Sequence, residues 1–479
     1  MKLHDLINGL STLQVVGATD IDVTGIQFDS RKIEKGNVFV AQVGTAMDGH
    51  TFVDSCIEKG AVAIVISDNA YIREGVTTVV VENTDYALGV MAHRWFGCPS
   101  EHLTLVGVTG TNGKTTIATL LYKLVRALGK KAGLLSTVIN YIEDEAIPST
   151  HTTPDALELN GLLRKMVDAG CEYAFMEVSS HSIAQERIAG LDFDGALFTN
   201  LTRDHIDYHK TFDNYRDTKK RLFDGLRKDA FAVTNKDDKN GLVMTQNTRA
   251  CVKTYSTRCL ADFKATILEE DFNGMQLNLN GKEVFVPLVG RFNASNILAI
   301  YGGAVCLGFD TMEVLRILST LTAVNGRFEA IRSPKKGWTA IVDYAHTPDA
   351  VDNVIQTINE IRKGRLITVV GCGGNRDHGK RPMMAQIAKR GSDQLILTSD
   401  NPRDEEPADI LRDMAAGLTE EELRTTLIIE DRATAIQTAC TLAGDKDVIL
   451  VAGKGHEDYQ IIKGVKYHFD DHEVVRKFI

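Results

Sequence analysis

The stretch LTLVGVTGTNGKTT at 103–116 constrains this chain more than any other. An apolar run, a glycine-rich turn and a helical pattern follow one another. That order predicts a strand feeding a helix through a loop whose backbone N–H groups converge on phosphate. The helix N-terminus adds partial positive charge, Lys114 neutralises terminal phosphate oxygens, and Thr115 can bind Mg²⁺. The glycines fall at 107, 110 and 113, and Val108 stands where the usual P-loop begins with glycine. This departure argues against a generic GTPase or kinase but not against phosphate binding. The alternative is an ordinary glycine-rich strand-to-helix turn.

The rest of the chain repeats the strand-then-helix alternation. Residues 1 to about 98 carry GNVFVAQVG, AVAIVIS and TTVVVEN. The central stretch continues with CEYAFMEV, DGALFTN and DAFAVTN. A second series (WTAIVDY, RLITVVGCGG, QLILTSDN, TTLIIEDR, DVILVAGKG) starts near 338, after a hinge at NGRFEAI. Alternation of this kind predicts an α/β fold with parallel sheets covered by helices on both faces. The expected organisation is three domains, 1–98, 99–328 and 329–479. The central one is a P-loop-type ATPase with a parallel or mixed sheet, and the last is Rossmann-like. In open parallel sheets ligands bind beyond the carboxyl ends of the strands, so the residues ending each run are the ones to read.

The 479 residues carry a formal net charge of −10, which disfavours broad contact with nucleic acid or an anionic membrane. No apolar run reaches the roughly 18–20 residues of a membrane span. The eight cysteines are scattered without a CxxC pair, as expected of reduced thiols in a cytoplasmic protein. The expectation is a monomer acting on small molecules.

Two later strand ends offer metal chemistry. Glu177 in MEVSSH and His205 in NLTRDHIDYH follow the phosphate loop and could share a Mg²⁺ with phosphate oxygens. Either could instead be a helix cap or a core hydrogen-bonder. Lys219, in YRDTKKRLF, reads on its own as a solvated lysine on a basic helix face.

The motifs GTNGKTT, MEVSSH, NLTRDHIDYH, VGRFNASN and NGRFE, in this order, resemble the muramyl ligases. These are ATP-dependent amide ligases that extend the peptide of the cell-wall precursor. The resemblance runs from FDSRKIEKGNVFVA at 28–41 to GKGHEDYQ at 453–460. THTTPD, DYAHTPD, GCGGNRDHGKRP and DNPRDEEP resemble the members that add 2,6-diaminopimelate. Folylpolyglutamate synthase, a relative sharing the ATP site, has no reason to carry THTTPD, DNPR or the N-terminal domain.

The resemblance implies the following sites. ATP is held by Thr109, Gly110, Thr111, Asn112, Gly113, Lys114 and Thr115, with Asn296, Arg327, Asp343 and His346 around it. Catalysis rests on Lys114, Glu177, His205 and Lys219. Thr115, Glu177, His205 and Lys219 hold Mg²⁺, and Lys219 is carbamylated to N6-carboxylysine, with Lys220 the competing candidate. The UDP-sugar dipeptide meets Phe28, Ser30, Thr45, Ala46, Met47, His151, Thr152, Thr153, Ser179, Gln185 and Arg187. His151 departs from the asparagine expected there. Several of these have plain structural readings: Asn296 as a helix cap, Arg327 as an interdomain ion-pair partner, Asp343 and His346 as a strand-end turn. Ser30 could cap a turn, Thr152 and Thr153 a helix, and Gln185 could be a surface residue.

The implied reaction joins meso-diaminopimelate to the D-glutamate of UDP-N-acetylmuramoyl-L-alanyl-D-glutamate through an acyl phosphate. Asp400, Asn401, Pro402 and Arg403 end a predicted strand and, with Glu405 and Glu406, read as the start of a helix. Diaminopimelate carries a distal carboxylate and ammonium; lysine carries only the ammonium. Arg403 can grip the extra carboxylate in two-toothed fashion and would repel a lysine ammonium. Arg376 is a second carboxylate partner, and Gly453 and Glu457 would meet the ammonium, unless Glu457 is a plain surface acid.

Overall fold

The computed structural model describes residues 1–44, 47–149 and 151–479. The expected contacts Thr45 and Ala46 lie outside the described residues.

The chain forms three large sheets in sequence order. The first has five strands in the order Thr12–Val16, Thr77–Val81, Ala63–Ile66, Asn37–Val40, Gly25–Gln27. All are parallel except the first, which runs antiparallel to its neighbour. The second sheet has eleven strands, and its centre is Phe231–Asn235, Gly195–Phe198, Thr104–Thr109, Tyr173–Glu177, Ala132–Leu135, all parallel. The third has six, in the order Glu329–Arg332, Thr339–Asp343, Val448–Ala452, Leu366–Cys372, Gln394–Ser399, Thr426–Ile428, parallel after the first.

The central strands are buried on both faces, which is why they read as unbroken apolar runs rather than alternating ones. One face of the eleven-stranded sheet packs on Lys114–Ala127 and Arg291–Cys306, through Leu121, Val125, Ile297 and Ile300. The other packs on Ala156–Asp168 and Phe212–Asp224, through Leu159, Leu163, Leu222 and Phe223. Among the described residues no helix is long and apolar enough to cross a membrane, and the eight cysteines are free thiols.

Both edges of the central sheet are antiparallel hairpins that periodicity alone does not reveal: Ile139–Ile142 with Glu145–Pro148, and the meander Phe263–Asp271, Gly274–Leu279, Lys282–Val286. The signal for the meander is two Asn-Gly pairs. Asn280 and Gly281 both take positive φ (49° and 84°), as a two-residue hairpin turn requires. A third hairpin, Tyr459–Ile462 with Val465–His468, packs beside the 400–403 loop: Arg403 N donates to Ile461 O at 2.9 Å.

Two local expectations are corrected. The helix after Thr152 and Thr153 is capped by Asp155, whose carboxylate accepts from Leu157 N and Glu158 N. The helix expected to open at Asp400 starts at Pro407 instead. Asp400, Asn401, Arg403 and Glu405 turn their side chains to the neighbouring loops instead.

Candidate active site

The P-loop strand Thr104–Thr109 lies between Gly195–Phe198 and Tyr173–Glu177. Their carboxyl ends therefore bring the glycine loop, Glu177 and the Thr199–His205 segment to one edge. Gly113, at φ 90°, caps Lys114–Ala127, and a Cβ on it would stand 2.6 Å from Asn296 Oδ1. The loop is held from outside by its neighbour strand: Asn200 accepts from Asn112 N at 3.0 Å, and Thr199 Oγ1 donates to Asn112 O at 2.6 Å. Thr109 Oγ1 donates to Val178 O at 2.8 Å.

Lys114 Nζ folds back to Gly110 O (3.0 Å) and Thr111 O (2.7 Å). Burial lowers its pKa, opposed by the charges of Glu177 and Asp204. Thr115 Oγ1 accepts from Arg327 Nη2 at 3.0 Å, and the Arg327 guanidinium lies 4.6 Å over the Tyr344 ring. Arg327 thus ties the third sheet's unit to the phosphate loop through a hydroxyl and a π-face, not through an ion pair. Asn296 lies inside Arg291–Cys306 and donates to Asn293 Oδ1 at 3.0 Å, so it is not a cap. Asp343 accepts from Phe328 N and Ala345 N, both at 2.7 Å, and so braces the turn at 326–328. His346 Nδ1 bonds its own strand end at Tyr344 O (2.9 Å). Beside this linker opens a cavity of about 610 Å³, lined by Lys123, Asn293, Asn325, Phe328 and Glu329 among others.

Glu177 is 1% exposed. Its Oε1 accepts from Thr137 N at 2.7 Å, while the buried Oε2 receives no hydrogen bond from the described residues. His205 sits at φ 52° with its ring edge-on to His181, 4.7 Å between centroids. Partial desolvation beside the phosphate loop lowers its pKa, helped by His181, Lys114 and Lys219 and opposed by Asp204, although its outer edge stays exposed.

Lys219 is not a solvated lysine. It is 1% exposed, and Nζ donates to Gly110 O at 2.9 Å while lying 5.0 Å over the Tyr215 ring. Desolvation first, then repulsion from Lys114, drive its pKa well below the ordinary lysine value. Lys220 instead pairs with Asp224 at 2.5 Å.

Thr153, Ser179, Gln185 and Arg187 come together. Arg187 Nη1 donates to Thr153 O (2.7 Å) and Nε to Gln185 Oε1 (3.0 Å); Ser179 N donates to Thr153 Oγ1 (3.2 Å). Thr152 Oγ1 accepts from Thr137 Oγ1 at 3.1 Å, and His151 is exposed beside it. Gln185, half-buried, donates to Tyr208 OH at 3.3 Å. The first sheet's unit reaches this group through helix Thr84–Trp95: Gly89 approaches so closely that a Cβ would meet Ala189 Cβ and Glu186 O at 2.7 Å. Phe28, Ser30 and the exposed Met47 belong to that unit. Asp29, not Ser30, caps its 3₁₀ turn.

The third sheet gathers the 400–403 loop, the 371–376 loop and the 453–457 turn at adjacent strand ends. Gly374 N donates to Asn401 O at 2.9 Å, and a Cβ on Gly374 would be 1.9 Å from Pro402 O. Arg403 takes φ 54°, and its Nη1 donates to Gly374 O at 2.9 Å. Arg376 is exposed at the tip of the neighbouring loop. Asp400 is buried and held ionised by Lys454 and Arg432. Asn401 Nδ2 donates to Glu457 Oε2 at 2.8 Å, so Glu457 is a half-buried member of the group and not a plain surface acid. Gly453, at φ 120°, brings the turn against Asp400. Glu405, expected in a helix, is clamped by the fully buried Arg381 at 2.8 Å. Lys454, Tyr344 and Arg432 are members of these groups that motif reading passed over, although Lys454 sits between Gly453 and Glu457 in GKGHE.

Three family models match in order: "Mur ligase family, catalytic domain" over residues 22–100, "Mur ligase middle domain" over 108–304, and "Mur ligase, glutamate ligase domain" over 326–455. A curated relative from Parabacteroides distasonis, named UDP-N-acetylmuramoyl-L-alanyl-D-glutamate–2,6-diaminopimelate ligase, is 62% identical over 100% of this chain and 99% of its own. A solved structure of a ligase of that name aligns over 100% of this chain and 98% of its own, with 32% identity and a TM-score of 0.71. The MurF ligase of Thermotoga maritima, solved with ADP, shares the fold at 19% identity and a TM-score of 0.61, covering 95% of this chain and 96% of its own. With its three-domain α/β architecture and full-length relatives, this chain belongs to the Mur ligase family.

Proposed function

We propose that this ATP-dependent ligase adds meso-2,6-diaminopimelate to the D-glutamate of UDP-N-acetylmuramoyl-L-alanyl-D-glutamate in the cytoplasm, as a monomer. The observation that carries the amino-acid choice is the pairing at the third sheet: the Arg403 guanidinium beside the Asp400–Asn401–Glu457 group. A cation next to acids complements a distal centre bearing both carboxylate and ammonium; the single ammonium of lysine leaves Arg403 unmatched. The domain boundaries near 98 and 328 are part of this reading, supported by family segments that end at 100 and resume at 326.

In the reaction, the γ-phosphoryl of ATP passes to the D-glutamate side-chain carboxylate, giving ADP and an acyl phosphate. The amine of diaminopimelate attacks the acyl carbon, phosphate leaves, and the amine's proton is released as the amide forms. Gly110–Thr115 and the helix end cradle the phosphates. Lys114 turns from its loop carbonyls toward the charge developing on phosphate oxygens. Arg327 carries the third sheet's unit to Thr115, so that the amine and the carboxylate meet. Thr153, Ser179, Gln185 and Arg187 orient the dipeptide end of the UDP substrate.

The residues fit a divalent cation, because Glu177 Oε2 is a buried carboxylate oxygen without a hydrogen bond from the described residues. Thr115, Glu177 and His205 would hold Mg²⁺, with Lys219 as its carbamate; bound there, the ion neutralises charge on the phosphoryl oxygens. The Lys219 amine suits carbamylation because burial lowers its pKa and so favours the neutral form, the one that adds to CO₂. Lys220, ion-paired with Asp224, suits it less.

The test is phosphate release measured with each substrate omitted and with an amino-acid panel. Release is expected only with ATP, the UDP-sugar dipeptide and diaminopimelate together, and far better than with L-lysine. Release without the amino acid, or equal efficiency with lysine, would sink the proposal.

A further inference from the structure

We propose that Lys454 is the positioning residue that fixes the ammonium side of the amino-acid subsite. The inference rests on the diaminopimelate reading above. Lys454 lies in the turn after strand Val448–Ala452 and is 0% exposed. A buried ammonium persists only where partners replace its water. Its partners here are Asn401 Oδ1 at 3.1 Å, Asp400 Oδ1 at 3.4 Å and Glu457 Oε2 at 3.4 Å, with the Tyr459 ring 5.7 Å below. Three of these four are residues assigned to the substrate.

The geometry does two things. First, it fixes the Asn401 amide: Oδ1 accepts from Lys454 and from Ile461 N (3.0 Å), and Nδ2 donates to Glu457 Oε2 (2.8 Å). Both contacts on Glu457 fall on Oε2, leaving Oε1 to accept from a substrate ammonium. Second, it sets the charge. Asp400 and Glu457 repel one another in a poorly hydrated site, and without a cation one of them would take up a proton. Arg432 also favours the charged form of Asp400, but from a distance: its guanidinium is paired with Asp471 at 2.8 Å, and Lys454 is the cation that touches both Asp400 and Glu457. With Lys454 in place, the two carboxylates and the lysine leave one net negative charge, matched to one incoming ammonium. Lys454 does not touch the reacting atoms; it acts through Asn401, Asp400 and Glu457.

The experiment uses the full-length enzyme with Lys454→Met, Lys454→Gln and Lys454→Arg. Steady-state KM is measured for diaminopimelate, ATP and the UDP-sugar dipeptide, and ADP binding serves as the check that each variant is folded. The Met and Gln variants are expected to raise KM for diaminopimelate by about tenfold or more, the loss expected when a buried polar partner is left unpaired. KM for the other two substrates stays within about twofold, and Lys454→Arg falls in between. A diaminopimelate KM within about twofold of the parent in a folded variant would overturn the inference, as would three KM values rising together. Should Met fail to bind ADP, the Gln and Arg variants decide. A parent enzyme that prefers lysine while these variants selectively raise KM for lysine would overturn the diaminopimelate reading and leave the positioning role standing.

Discussion

Arg403 carries two properties that paired substitutions separate. Its φ of 54° lies in the left-handed region, where an L side chain costs roughly 1–2 kcal/mol. Strain of this kind collects at binding sites held by their surroundings, and here the surroundings are Ile461 O, Gly374 O and the 459–468 hairpin. Arg403→Ala and Arg403→Gly both remove the guanidinium and its bond to Gly374, so that loss cancels between them. Only glycine relieves the backbone. Relief of about 1–2 kcal/mol, less about 0.4–1 kcal/mol of added unfolded-chain freedom, leaves the glycine variant about 0.5–1 kcal/mol more stable than the alanine one. The effect on catalysis is common to both. A charge-assisted hydrogen bond to the distal carboxylate contributes about 1.5–3 kcal/mol, and every 1.4 kcal/mol is about tenfold. Both variants are therefore expected to lose roughly 10–100-fold in kcat/KM with diaminopimelate. With L-lysine, which lacks that carboxylate, the loss stays below about threefold. Urea unfolding and steady-state rates with both amino acids measure the two halves independently. Equal losses with both amino acids would refute the carboxylate grip, and an alanine variant more stable than the glycine one would refute the strain.

Four further outcomes are expected. In CO₂-free buffer at pH 7, Lys219→Met is more stable to urea than the parent by about 1–4 kcal/mol, since burial disfavours the protonated lysine that the unfolded chain holds and an apolar side chain carries no such cost. Because the folded-state pKa of Lys219 lies below its unfolded value, the gap narrows as pH rises toward the ordinary lysine value. Lys219→Ala abolishes activity, and added short-chain carboxylate partly restores it; full retained activity would show the lysine to be only structural. Arg432→Met strands the fully buried Asp471 and costs about 3–5 kcal/mol; adding Asp471→Leu recovers most of it, and a double-mutant cycle showing simple additivity would contradict the pairing. His209 bonds Ser180 Oγ at 2.9 Å, and burial holds its pKa at about 4. Its unfolded value is near 6.5, so the stability it lends is present above that and is lost as pH falls toward 4. His209→Gln flattens that part of the pH–stability curve, and an unchanged acid limb would count against a neutral buried ring.

The strand-and-helix alternation and the glycine loop were legible because each is local. A parallel strand buried on both faces has to be an apolar run, and a phosphate loop has to have glycine where side chains would collide, as Gly113 does with Asn296. The Asn-Gly hairpins were equally local, but their sheet partners carry little periodicity. Lys219 read alone as a solvated lysine, because burial depends on what another part of the chain sets above it: Gly110 O and Tyr215. Only the family resemblance pointed the other way.

By itself, then, the sequence determined three α/β units, an anion-binding turn and the motifs that mark the family. The tertiary structure alone decided which side chains are available to a ligand. Asp343 gives its oxygens to Phe328 N and Ala345 N, Glu405 is taken by Arg381, and Lys454 enters the substrate group between two residues, Gly453 and Glu457, that the motif had marked without it. The physical reason is that a polar group in a low-dielectric interior must find a partner. Which partner it finds depends on strand ends brought together from positions dozens to hundreds of residues apart.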